Sequence, residues 1–305
     1  NPLGTLPINQ LLARFAIPSI IAMLVSALYN IVDQFFIGRS VGMLGNAATN
    51  VAFPLTITCT ALSLMFGIGG AANFNLSMGH GEREDAARYA GNAVFMLFFT
   101  GLILCLGVRL FLKPLMIAFG ATAEVLDYSL VYTGITSLGF PFLILTTGGS
   151  NLIRADGSPR FSMVCTLTGA LINTILDPLF IFTFHMGMAG AALATISSQL
   201  FSAILVILCL TRTQDMYKVE WRKIRIDSRM LQRIIRIGIP AGMQSVMYNI
   251  SNIIIQAGVN NLGTDNVTAW ATYGKVDGLY WMMINALGIS VTTFVGQNYG
   301  ARRMD

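Results

Sequence analysis

Eight apolar segments, near 13–37, 51–77, 91–112, 126–152, 161–183, 190–210, 234–259 and 268–295, constrain this chain more than any other feature. Each runs for roughly 20 residues, the length a helix needs to cross a bilayer. In lipid a backbone must satisfy its own hydrogen bonds, so runs of this length predict helices. Composition agrees: 54% of residues are hydrophobic and 11% charged, against about 25% charged in a soluble domain. The sequence therefore predicts an all-α, polytopic membrane protein and excludes a water-soluble one. Polar stretches such as "GHGERED" (79–85), "RADGSPR" (154–160) and "TRTQDMYKVEWRKIRIDSR" (211–229) mark the connections. Cys59, Cys105, Cys165 and Cys209 are scattered singly, with no C-x-x-C pair, and read as small buried residues. No cleavable leader is visible, and Asn1 in place of methionine gives the expectation of a trimmed start.

Arginine and lysine crowd the even-numbered connections, at Arg83, Arg88, Arg154, Arg160, Arg302 and Arg303 and from Arg212 to Arg236. The opposite side has Arg39, Arg109 and Lys113. This bias predicts a cytoplasmic N-terminus. The basic stretch 211–236 reads as a cytoplasmic linker rather than a nucleic-acid patch. Within it, "SRMLQRIIRIGIP" is expected to be a Ser-capped amphipathic turn at the interface before span seven.

The chain repeats itself. "RFAIP" (14–18) returns as "RIGIP" (236–240), "YN" (29–30) at 248–249, "LG" (44–45) at 262–263, and "MGHGER" (78–83) as "QNYGAR" (297–302). Each recurrence lies about 220 residues downstream, with an even number of spans between, the pattern of parallel repeats in secondary transporters. Residues 1–210 then form a six-helix unit, 211–232 a basic linker, and 233–305 the first two helices of a second unit whose remaining four spans are expected beyond the chain.

Few acids fall inside the spans: Asp33, Asp177 and, near an edge, Asp277. An intramembrane acid costs about 2.5–3.5 kcal/mol to insert and marks function by default. Asn173 stands one turn before Asp177, so both project from one face. Ser26, Tyr29, Asn30 and Asp33 make a similar stripe on the first span, and Thr195, Ser198, Gln199 and Ser202 on the sixth. Asp33, Asp177 and Thr195 are expected about one turn from their span ends, at matching depth. Such a carboxylate pair, with amide and hydroxyl oxygens beside it, suits a proton or a hard cation such as Na⁺. Pro178 cannot donate to the carbonyl of Thr174 and is expected to kink the helix beside the acids. The plainer alternative makes Asp177 a structural contact within the bundle. His80 reads as the edge of a solvated helix start, His185 as a turn residue, and Lys275 as a snorkelling side chain or a functional cation near Asp277.

"YNIVDQFFIG" (29–38), "IRADGSPR" (153–160), "LINTILDPLFIF" (171–182), "GMAGAALATISSQ" (187–199) and "RIGIPAG" (236–242) resemble the multidrug and toxic compound extrusion (MATE) family, in its bacterial DinF-type and MepA-type branch. The resemblance spans nearly the whole chain. It implies two six-helix lobes about a cleft that opens to either side in turn, and export of organic, often cationic, compounds against H⁺ or Na⁺. It places the family's amino-lobe cation site on Asp33, Asn173, Asp177 and Thr195, and makes Tyr29, Asn30, Gln199, Gln244, Tyr248, Asn252 and Asp277 candidates for the substrate cleft. No cofactor is implied beyond the coupling ion. Partners would be small organic substrates and the bilayer, with the protein a monomer in a bacterial inner membrane. Some members carry an acid in span seven, where this chain has Gln244, Tyr248, Ser251, Asn252 and Gln256; Asn252 is the repeat equivalent of Asp33. Coupling is thus expected through the amino lobe. A lipid-linked oligosaccharide flippase of the same superfamily is the alternative, and would need several intramembrane cations where Lys275 is the one in view. A membrane enzyme would need an acid–histidine or metal cluster, which only the surroundings of His80 approach.

Overall fold

The computed structural model describes residues 8–212, 226–260 and 264–302, and every regular element among them is helical. In chain order these are α1 (Ile8–Ser40), α2 (Met43–His80), α3 (Arg83–Leu110), the short α4 (Leu112–Ala118), α5 (Ala123–Thr136), α6 (Phe140–Ala155), α7 (Pro159–Pro178), α8 (Gly187–Arg212), α9 (Ser228–Asn260) and α10 (Thr264–Gly300). Most of the expected 211–232 linker and the side chain of Lys275 lie outside the described residues.

Among the described residues seven stretches are long and apolar enough to cross a membrane: Ala13–Ser40, Met43–His80, Arg83–Leu110, Ala123–Ala155, Pro159–Thr183, Gly187–Arg212 and Val276–Gly300. The protein is thus a multi-pass, all-helical membrane protein. Eight spans were expected, and the difference is α9. It forms over 33 residues, but Arg229, Arg233 and Arg236 and the stripe from Gln244 to Gln256 lower its hydropathy. Span four is one membrane stretch built from two helices, α5 and α6, joined by a 3-10 turn at Ser137–Gly139 with Pro141 opening α6.

Large apolar side chains face outward, including Leu28, Ile31 and Phe35 on α1, Leu102, Ile103 and Leu106 on α3, and Leu171 and Ile175 on α7. That is the arrangement lipid favours. The interior packs Phe66 and Phe74 of α2, Leu97 of α3, Ile144, Leu145, Leu152 and Ile153 of α6, Val206 and Leu210 of α8, and Ile234 of α9 into one cluster. A smaller one joins Ile37, Ala48, Val125, Ile181, Met188 and Ala191.

The residues from Ser228 do not form a separate interfacial turn. They open α9 directly, and Met230 and Ile234 are buried against the rest. The cap is Asp227 rather than Ser228: its Oδ1 accepts the Arg229 N–H at 2.8 Å. The start of α9 is also tied to α3, since Arg233 donates to the Tyr89 hydroxyl at 3.1 Å and the Asp227 N–H to Asn92 Oδ1 at 3.2 Å. α9 and α2 cross backbone to backbone. A methyl on Gly238 would run into the Met65 carbonyl, and one on Gly69 into the Ile234 carbonyl. Near the C-terminal end of α2, Gln297 of α10 is buried and donates through Nε2 to Asn75 Oδ1 at 3.2 Å and to the Ala155 carbonyl at 3.0 Å. The repeat-related stretches 78–83 and 297–302 therefore close their helices at the same end of the molecule.

Candidate cation site and adjoining cavity

α7 presents Asn173 and Asp177 from one face, as the one-turn spacing requires, and Asn173 Nδ2 donates to Asp177 Oδ1 at 3.4 Å. α1 brings Asp33 to the same place, near enough for the two carboxyl groups to influence one another. All three residues are buried: Asp177 is 0%, Asn173 1% and Asp33 7% exposed. Yet Asp33 Oδ1, Asn173 Oδ1 and Asp177 Oδ2 are buried without a hydrogen-bond partner. Ionised carboxylates and an amide oxygen only accept. The group therefore holds three buried acceptors and lacks a positive centre. A proton on one acid, or a cation between the oxygens, supplies it.

Thr195 on α8 joins less directly. Its hydroxyl donates to the Ala191 carbonyl at 3.0 Å, and Tyr132 of α5 stands nearby. Tyr132 also feels both acids, as does Tyr29 one turn before Asp33. Tyr132 was missed in the sequence even though Ser129, Thr133 and Thr136 stand at helical spacing around it, because the stripe holds no acid. The depth estimate also needs correction. Asp33 lies seven residues before the end of α1 and Thr195 eight after the start of α8, about 10–12 Å and two turns rather than one. The helices run further than their apolar cores suggest, but the depths still match.

The irregularity at Pro178 takes the form of a π turn over Leu179–Thr183 rather than a plain kink. With no N–H at Pro178 the α ladder is interrupted, and the Phe184 N–H donates five residues back, to Leu179, at 3.0 Å. α8 passes close beside this turn, because a methyl on Gly190 would lie 2.9 Å from the Phe180 carbonyl oxygen. His185 follows with φ of 54°, a turn residue as expected.

The candidate cleft residues do not share one pocket. Tyr29 and Gln199 line a cavity of about 280 Å³ among α1, α6, α7 and α8, with Ser26, Thr146, Ser150 and Arg154. Asn30 turns away from it, exposed, and its Nδ2 donates to its own helix at Ser26. Gln244, Tyr248 and Asn252 are exposed on α9. Asn252 borders a groove with Phe53 and Ile57 of α2, while Tyr248 meets Trp281 edge-on at 5.6 Å. Asp277 accepts from the Tyr273 hydroxyl at 3.2 Å on α10. Arg154, assigned from sequence to a loop, belongs instead to the last turn of α6 and lines the cavity; α6 runs three residues past the expected span end at 152.

A family model described as MatE matches residues 18–179 and 240–305. Among curated proteins the chain is similar to the multidrug export protein MepA of Staphylococcus aureus (strain N315), 25% identical over 297 residues, covering 97% of this chain and 66% of that protein. MepA of Staphylococcus haemolyticus (strain JCSC1435) is 25% identical over 292 residues, 96% of this chain and 65% of its own length. The chain thus spans just under two thirds of these relatives. Among solved structures, a crystal structure of MATE in complex with MaD3S superposes with a TM-score of 0.92 at 22% identity, covering 99% of this chain and 68% of that one. An outward-facing multidrug resistance MATE family transporter of the MOP superfamily gives 0.90 at 23%, covering 99% and 67%. These likenesses establish the fold.

Proposed function

The chain belongs to the MatE family, and from that premise we propose that it is the cation-coupled part of a multidrug exporter that moves amphiphilic organic cations outward by alternating access, in exchange for H⁺ or Na⁺. The observation that carries this reading is the trio of partnerless buried oxygens on Asp33, Asn173 and Asp177. Two full negative charges side by side repel strongly where the effective dielectric is well below that of water. The pair therefore favours a bound proton or cation whenever the bilayer keeps water away. An ion that binds this group better in one conformation than in the other shifts the balance between them, and such differential affinity is all that coupling requires. Tyr132 stands near the group, and the π turn after Pro178 gives α7 a place to bend as the charge changes.

The same reading assigns no catalytic role to any residue. It places the protein in a bacterial cytoplasmic membrane, with the N-terminus and the basic linker inside, working as a monomer with no cofactor beyond the coupling ion. The exposed Tyr248–Trp281 ring pair, with Tyr273 and Asp277 on α10, offers aromatic faces and a negative charge to a cationic substrate. Cells producing the full-length protein should gain resistance to a panel of cationic dyes and biocides. If none of the panel is tolerated better than by empty cells at equal expression, the multidrug reading is wrong.

A further inference from the structure

The cavity beside the acid group carries charge of the opposite sign. Arg154 is partly buried in its wall and gives its Nε–H to Ser162 Oγ at 2.9 Å. Among the described residues the ion pairs are those of Arg88 with Glu84 and Asp85, and no carboxylate lies within ion-pair distance of Arg154. Its terminal amino groups are thus left with donors to spare. Three hydroxyls near it donate to backbone carbonyls: Thr166 to that of Ser162, Ser198 to that of Thr195 and Ser202 to that of Cys165. Thr146 Oγ1 is buried in the same wall without a partner. A partly buried guanidinium with no counter-charge carries a cost, and so does an orphaned hydroxyl. An anion in the cavity that both line would offer each a partner.

We infer that this cavity holds an anion subsite, in which Arg154 and Thr146 bind a small monovalent anion or the carboxylate of an organic molecule. The planar guanidinium fork matches a carboxylate and also accepts a halide. The space of about 280 Å³ equals about nine waters, ample for a carboxylate with an organic group attached. It lies along α7, whose start holds Ser162 and whose end holds Asp177. Those residues are 15 apart, about 22 Å at 1.5 Å per residue, so Arg154 stands well apart from the acids, although Tyr29, one turn before Asp33, lines the same cavity. Equilibrium binding needs no gradient, and the inference therefore stands or falls apart from cation coupling.

The test uses full-length protein purified in detergent. Its thermal unfolding is followed as sodium isethionate, a bulky sulfonate with no carboxylate, is replaced by chloride or formate at fixed ionic strength. A ligand that binds only the folded protein raises the unfolding temperature saturably. That response is expected in the wild type, lost in Arg154→Gln, and shifted to about tenfold higher anion concentration in Thr146→Val. Ser162→Ala removes the support of Arg154 without its charge and should keep the response, which a merely structural arginine would not explain. Thr146→Val also reads the site if Arg154→Gln fails to fold. Competition between formate and a zwitterionic dye, set against its methyl ester, tells the sources apart. If only the free acid competes, the occupant is a transported molecule's carboxylate; if neither competes, it is a free ion. Either result upholds the subsite. No saturable response, or an equal one in wild type, Arg154→Gln and Thr146→Val, overturns it.

Discussion

Gln297→Ala isolates the contact that holds α10 against α2 and α6. The amide donates to Asn75 Oδ1 and to the Ala155 carbonyl, and both Gln297 and Asn75 are buried, at 7% and 1% exposed. Each neutral hydrogen bond contributes about 0.5–1.5 kcal/mol net, and stranding the Asn75 oxygen adds a desolvation cost of similar size. A total of about 2 kcal/mol is lost from the conformation in which these helices touch. Where they part, water takes the place of the amide and little is lost. The balance should therefore move by about 30-fold toward opening at this end. Spin labels at the exposed positions Glu82 and Arg302 of the full-length protein report it as a growing long-distance population in pulsed dipolar spectroscopy. An unchanged distance distribution, in a variant that folds and inserts normally, would refute the idea that this contact closes the end of the molecule.

Three further outcomes follow from the packing and the charge bias. Gly238→Ala puts a methyl into the Met65 carbonyl and should cost about 1–3 kcal/mol, seen as a lower unfolding temperature of the purified protein. Asp227→Ala removes the cap of α9; a loss of about 1 kcal/mol should speed hydrogen exchange in its first turn about fivefold, while amides of α6 stay as they were. A cysteine in place of Ser228, an exposed position, should resist membrane-impermeant thiol reagents in intact cells. Ready labelling from outside would reverse the proposed orientation.

The helices were legible because each had to satisfy its backbone in lipid, which leaves long apolar runs in the sequence. Asp33, Asn173 and Asp177 were legible for the complementary reason: polar groups inside such runs are rare enough to stand out. What stayed hidden depends on neighbours distant in sequence. Tyr132 looks like one more aromatic residue until α5 is packed beside α8. Arg154 looks like part of a charged loop until α6 is seen to extend through it. Pro178 announced a break in the helix but not its form, since a kink and a π turn begin from the same missing donor. The cap of α9 was misplaced by one residue because Asp227 and Ser228 are both good capping types, and only the geometry separates them.

Gradient-driven efflux in proteoliposomes, measured with the full-length protein, tests the central claim most directly. Asn at position 33 or 177 keeps the size of the side chain and supplies a permanent donor to its neighbour, imitating an acid that never releases its proton. Asp33→Asn and Asp177→Asn should each abolish export of a cationic dye driven by an inward H⁺ or Na⁺ gradient, while equilibrium dye binding persists and Asn252→Ala exports nearly as well as the wild type. Full gradient-driven export by the Asp33→Asn, Asp177→Asn double variant at normal expression would contradict the account and leave both acids as structural contacts.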